Sequence, residues 1–547
     1  MRTSAVSILL MLSSHFAFGV APHAPARNVY FGDLHVHTQN SFDAFIFNVR
    51  GTPNAAYTFA KGEPVSHTSG QQIRLMGPPL DFLAVTDHAE YLGVLSSMED
   101  PASSISKLPM ARLIASKDPT VARQAFLTIG QSMVSGTRLA ELTDGSVERS
   151  AWNETIAAAE KHNNPGVFTS LIGYEFSSVP DGNNLHRNVI FENAKVPDMP
   201  FSALDSRDPA DLWRWLDKQR SKGINSLSIP HNSNISNGLM FGDTDFASQP
   251  MTQAYAALRL RNEPLVEISQ MKGSSDTHPE LSPDDPWANF EIYQILLGTH
   301  HDKSKINGGY IRQALLDGLL MKRSLGQTPY QFGIIGSSDS HNAASGIEEP
   351  NHFGKIGIAD DIPERRGLLF SREPGNEHLP KMARWSAAGI AGVWAQENTR
   401  ESLFSAMRRK ETFGTSGPRI AVRFFAGADL AKAIEASADA ISAAYAKGVP
   451  MGSEIGRVTT SPDFFVWAAR DAAGNRLQRI QIIKGWIEND KPNERIYDIA
   501  CSDGLSPNPD DPRLTRRVEG LDHQGRRVET SVTVERPLTL FLNGQEI

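Results

Sequence analysis

The chain has 547 residues, 40% hydrophobic and 21% charged, with a formal net charge of −8. Such a length predicts two or three domains with a sizeable core, and an acidic balance without a long basic tract argues against a protein built around nucleic acid or anionic lipid. Cys501 is the sole cysteine, which excludes an intramolecular disulfide or a thiolate metal cluster and leaves histidines and carboxylates to hold any metal.

In chain order, Arg2 precedes a short apolar run, and small residues follow near Ala21. This reads as an export signal over residues 1–21, so a periplasmic or secreted location is expected. No later apolar run is long enough to span a bilayer. Residues 28–31 have strand character and lead into Asp33-Leu34-His35-Val36-His37. Alternate side chains of a strand share a face, so His35 and His37 point together. A Gly/Pro-rich loop over 51–79 gives way to the apolar run 80–85, which ends in Thr86-Asp87-His88. Residues 101–161 read as a helical insertion. The apolar run 167–176 carries Glu175 near its end, and His186 opens the strand-like segment after it. A helix over 210–219 precedes residues 226–229 and Pro230-His231-Asn232, again a strand ending in histidine. Residues 264–268 predict one more strand, and 287–297 and 308–319 predict helices. The run 332–336 ends in Ser337-Ser338-Asp339-Ser340-His341.

Apolar strands alternating with helical segments argue for an α/β barrel-like domain over residues 28–418. The tail, 419–547, reads as a smaller β-rich region containing one Ala-rich helix over 431–446. Taken together, His35, His37, Asp43, Asp87, His88, Glu175, His186, His231, Asp339 and His341 stand at or beside strand ends. In α/β enzymes that edge holds the chemistry. Imidazole plus carboxylate, without sulfur, is the ligand set of Zn, Mn or Fe.

The ordered motifs resemble the PHP family of metal-dependent hydrolases, and more narrowly its DUF3604 branch. They are Asp33-Leu34-His35-Val36-His37, Thr86-Asp87-His88, Gly173-Tyr174-Glu175, the His186 segment, Pro230-His231-Asn232 and Ser338-Asp339-Ser340-His341. Lys272-Gly273, Phe353-Gly354-Lys355 and Thr415-Ser416-Gly417-Pro418-Arg419 add to them. The resemblance implies a distorted (β/α)7 barrel with two or three divalent metal ions at its strand ends. One ion would use His35, His37, Glu175 and Asp339. A second would use Glu175, His186 and His231, with Glu175 bridging. A third would use His88 and His341 with Asp43, which stands where PHP proteins often have histidine and favours harder ions such as Mn.

A metal-activated hydroxide would then attack a phosphorus or carbonyl centre, with Asp87 orienting a ligand. Arg187, Lys355 and Arg419 are cationic residues near predicted loops, suited to anchoring an anionic small-molecule substrate. The expected activity is phosphoester hydrolysis. Hydrolysis of a carboxylic ester, amide or lactone is the alternative, and a non-catalytic metal- or carbohydrate-binding role is a third reading.

Overall fold

The computed structural model describes residues 27–116, 118–142, 145–296, 303–367, 385–456 and 459–502. It also gives the backbone of strands at 515–521, 527–533, 541–542 and 545–546. The expected export signal, 1–21, lies outside the described residues. Among the described residues, no helix is long and apolar enough to cross a membrane.

Nine strands organise the part of the chain that carries the histidines. They are β1 (Asn28–Val36), β2 (Phe82–Val85), β3 (Thr169–Ser178), β4 (Leu185–Phe191), β5 (Ser226–Pro230), β6 (Leu265–Gln270), β7 (Gly333–Gly336), β8 (Ile390–Ala395) and β9 (Thr412–Thr415). Seven of them form one curled sheet in the order β9-β8-β1-β2-β3-β4-β5. β7 and β6 pair in parallel in a separate three-stranded sheet, completed by the short strand Gly273–Ser274. Hydrogen bonding therefore gives a curled half-barrel and a second sheet rather than one closed (β/α)7 ring.

The pairing is mixed for a physical reason. β1, β2 and β3 run parallel. The connection from β3 to β4, residues 179–184, is far too short for a crossover, so β4 returns antiparallel. β5 then pairs antiparallel with β4, which restores the direction of β3. As a result the carboxyl ends of β1, β2, β3 and β5 and the amino end of β4 share one edge. The tip of β7 joins that edge through β1: the His37 N–H donates to the Ser340 carbonyl (2.8 Å) and the Asp339 N–H to the His35 carbonyl (2.9 Å).

Strand alternation separates two cores. On β3 the inward position Leu171 packs with Leu34, Ile190, Leu227, Ile229, Leu265 and Ile335, and with Leu403, Phe404 and Met407 of helix Arg400–Arg408. Ile172, Tyr174 and Phe176 face the other way, against Tyr57, Trp152, Ala158 and Leu212 of the outer helices. The apolar inner layer forms a floor beneath the strand tips.

Helices Pro109–Ile114, Pro119–Ser135 and Gly145–His162 occupy the expected helical insertion. The first two share a third core with Phe42, Phe45 and Ile46 of helix Phe42–Ile46, so the insertion buttresses the helix that carries Asp43.

Three local expectations need correction. Residues 287–291 are turns and 292–296 are irregular with a bridge at Ile295, not helix, and Glu291 takes a left-handed backbone (φ 47°) that no helix accommodates. The helix expected over 308–319 is Ile311–Leu325, displaced because Gly308 also has positive φ. The Ala-rich stretch 431–446 is two helices, Leu430–Glu435 and Ala440–Lys447. Asp439 caps the second by accepting from the Ile441 and Ser442 N–H groups, which ends continuity with the first. The remaining C-terminal strands, including Ala421–Gly427, Asp463–Ala469 and the hairpin Arg479–Glu488 with Lys491–Cys501, pair antiparallel.

Candidate metal centre

The shared edge gathers nine buried imidazole and carboxylate side chains. His35 and His37 converge from β1, with Nε2 atoms 3.4 and 3.1 Å from Glu175 Oε2. The same two nitrogens lie 3.4 and 3.3 Å from Asp339 Oδ1. The other oxygen of Glu175 faces the opposite way: Oε1 is 2.6 Å from His186 Nδ1 and 3.2 Å from His231 Nε2. Glu175 thus divides its two oxygens between two groups of donors. A third group is His37, Asp43, His88 and His341, where Asp43 Oδ2 lies 2.8 Å from His341 Nε2 and 3.4 Å from His88 Nε2.

The donors fit divalent ions. Ligands about 2.1 Å from one ion stand about 3.0–3.4 Å from each other, which is the spacing of the contacts made by His35, His37, His231 and His88, while Glu175–His186 and Asp43–His341 are closer. His35 Nε2, His37 Nε2 and Asp339 Oδ1 are buried without a hydrogen-bond partner. Orphaned polar atoms aimed at a common centre are costly unless something fills it. Backbone strain points the same way: Asp339 and Asn232, the latter directly after His231, both adopt positive φ (54° and 52°).

The buried charges at this edge shift one another strongly. Burial opposes ionisation of Glu175, but His88, His231 and His186 hold it well below the usual carboxylate range. Burial also opposes a charged His35, yet Asp339 and Glu267 push its pKa up to about 10. His341 moves the other way, to about 3, through burial together with His37 and Lys355, against the pull of Asp43.

Supporting groups fix the ligands. Asp87 accepts from the Thr38 N–H (2.6 Å), the Thr38 hydroxyl (2.7 Å) and the Ser41 hydroxyl (2.7 Å). Ser41 Oγ in turn lies 2.8 Å from His37 Nδ1, so Asp87 orients His37 through Ser41. Asp33 Oδ1 accepts from the His35 and Ser338 N–H groups (both 3.1 Å) and ties β1 to the tip of β7. Its burial raises its pKa to about 6. Glu267 Oε2 lies 2.9 Å from His35 Nδ1. Such carboxylate–histidine contacts fix the tautomer of a metal ligand.

Two proposed anchors sit elsewhere. Arg187 is on the opposite face of β4 from His186, buried against Glu263 (2.8 Å) and the Leu185 carbonyl (2.5 Å). Strand alternation places it there, because adjacent residues cannot share a face. Arg419 donates to the carbonyls of Pro78 (2.5 Å) and Pro79 (2.9 Å) and lies over Phe31. Pro78 and Pro79 precede β2 and Phe31 lies in the first half of β1, so Arg419 is at the end of the sheet away from the cluster. Lys355 is at the centre but is buried, and pairs with Asp339.

Sequence reasoning gave no role to Glu267, Lys272 or Ser41. A signal for Glu267 was available: it is the one charge inside the apolar run of β6, at the inward parity of Leu265. Lys272 ion-pairs with Asp339 Oδ2.

The fold and this edge define a class: an α/β protein with a buried histidine–carboxylate centre able to hold metal ions. The chain belongs to the family described as a protein of unknown function, DUF3604, whose match covers residues 24–536. No curated protein matches the sequence. Among solved structures it is similar to a two-domain protein containing a predicted PHP-like metal-dependent phosphoesterase from Bacteroides vulgatus ATCC 8482. That similarity has 12% identity over 71% of this chain and 65% of the other, with a TM-score of 0.30. The match thus spans about 65% of the length of that protein, and at this TM-score it adds nothing to the argument from geometry.

Proposed function

We propose that this chain is a PHP-type metal-dependent hydrolase, exported to the periplasm or beyond, that cleaves phosphoesters of small anionic molecules. The observation that carries the reading is the division of Glu175, one oxygen toward His35 and His37 and the other toward His186 and His231. A carboxylate shared in this way suits adjacent cations better than structural hydrogen bonding does, since it leaves buried imidazole nitrogens unpaired.

Two or three divalent ions of the Mn, Zn or Fe type, held by His35, His37, Asp43, His88, Glu175, His186, His231, Asp339 and His341, would supply Lewis acidity that acidifies water and offsets charge on a phosphoryl group. The chain's own groups prepare that chemistry. Glu267 and Asp87 hold His35 and His37 in one ring orientation. Lys272 and Lys355 keep Asp339 ionised, against the burial that would protonate it. The apolar floor excludes water from below. No nucleophilic side chain is needed.

The test is metal analysis of purified protein joined to a chromogenic panel of phosphate, carboxylic ester, amide and lactone substrates, with Mn, Zn or Fe added. Phosphoester cleavage that disappears on chelation and returns with metal is expected. Cleavage of only a carboxylic ester, amide or lactone would replace the phosphoester reading. Full metal occupancy with no hydrolysis of any substrate would leave a binding protein.

A further inference from the structure

The ligands differ in how open they are. Side chains of His35, His37, His231, Glu175 and Asp339 are at most 1% exposed. His186, Asp43 and Lys272 retain 12%, 11% and 10%. These three are the side chains most open to solvent at the cluster, so the mouth through which substrate reaches it is placed beside them, and Lys272 is the cation of the three.

The two lysines at Asp339 are not equivalent. An ammonium has three N–H donors. Lys355 Nζ donates to the Asp339 carbonyl and is wedged between Asp339 Oδ1 (3.3 Å, an ion pair) and the ring of His341 (Nδ1 at 3.1 Å), and its side chain is 4% exposed. Lys272 Nζ has Asp339 Oδ2 as its one hydrogen-bond acceptor among the described residues, which leaves two of its three donors for another partner.

The backbone beneath Lys272 is built to hold it. It sits in the tight turn between β6 and Gly273–Ser274. Its N–H donates to Gln270 Oε1 (2.5 Å), and its carbonyl accepts from Asn234 Nδ2 (2.9 Å). Gly273 takes φ 95°, and a Cβ there would meet Tyr293 Cβ at 2.5 Å. A surface lysine needs no such framework.

We infer that Lys272 is the residue that grips the substrate's anionic group, its two unspent N–H donors at the mouth facing the incoming phosphoryl oxygens, while Lys355 is a positioning residue for Asp339 and His341. This rests on the phosphoesterase reading. It assigns the substrate contact to a cation that bridges the ligand shell and solvent, in place of Arg187 and Arg419.

Inorganic phosphate is the probe. Metal-loaded wild type, Lys272→Met and Lys272→Arg are titrated with phosphate by calorimetry, and bound metal is measured on the same samples. Lys272→Met should bind phosphate at least tenfold more weakly with metal stoichiometry unchanged, and Lys272→Arg should recover most of that loss. Unchanged phosphate affinity in Lys272→Met overturns the assignment. So does loss of metal in both variants, because Lys272 would then serve Asp339 rather than substrate. If metal-loaded wild type binds acetate but not phosphate, the phosphoester reading fails, and the same comparison with acetate decides Lys272 independently.

Discussion

His35 shows how little of a side chain's chemistry is its own. One ring nitrogen meets Glu267, and the other faces Glu175 and Asp339. Glu267→Gln keeps shape and a hydrogen-bonding oxygen but removes the charge that orients the ring. It should weaken metal binding by about 10–100-fold while leaving the chain folded, as measured by competition with a chromophoric chelator and by circular dichroism. Undiminished affinity would return Glu267 to a structural role. Most of the clustered side chains were legible because they follow an apolar run, as His35, His88, Glu175, His231 and Asp339 do; His186 and Asp43 do not. Glu267 was not legible, because it lies inside a run rather than at its end. Arg187 and Arg419 misled for a related reason: charge near a motif is visible in sequence, but parity and the end of the strand on which a residue falls decide what it meets.

At the scale of elements, the edge depends on strand direction and parity. His186 reaches the cluster only because β4 runs backwards and presents His186, Asn188 and Ile190 inward. Inserting one residue within β4 between Leu185 and Arg187, just after His186, should disturb that parity, since a one-residue slip exchanges the two faces. With the strand held in register from Arg187 onward, the inserted residue would stand where His186 does, and Glu175 Oε1 would lose an imidazole. Metal stoichiometry should fall, with far-ultraviolet circular dichroism near wild type; full retention of metal would show that a local bulge absorbs the insertion. The apolar runs made most of these strands readable. The strand-like segment opened by His186 was readable too, but its antiparallel pairing was not, because period-two patterns do not encode whether neighbours are parallel. Helix ends failed where single residues took left-handed backbone, at Glu291 and Gly308, since only the glycine announces that in sequence.

For the molecule as a whole, apolar runs alternating with helical segments revealed the α/β character, whereas the split into two sheets was hidden. Nothing local distinguishes a strand that closes a ring from one that starts another sheet. The division has a physical outcome. His35, His37 and Glu175 come from the curled sheet, while Glu267 and Asp339 come from β6 and the tip of β7. Cations at the shared edge would therefore reinforce the few hydrogen bonds that join the two sheets at the tip of β7, in the manner of a rivet through two plates. Chelation should loosen the seam more than either plate. Amide hydrogen exchange is expected to quicken at residues 333–341 and 265–274 and to stay slow along Thr169–Ser178. Uniform quickening across both sheets would mean that the ions stabilise the fold globally. If the seam alone responds, the strength of the joint follows the supply of metal around the protein, and starvation for the ion would open the seam before the protein unfolds.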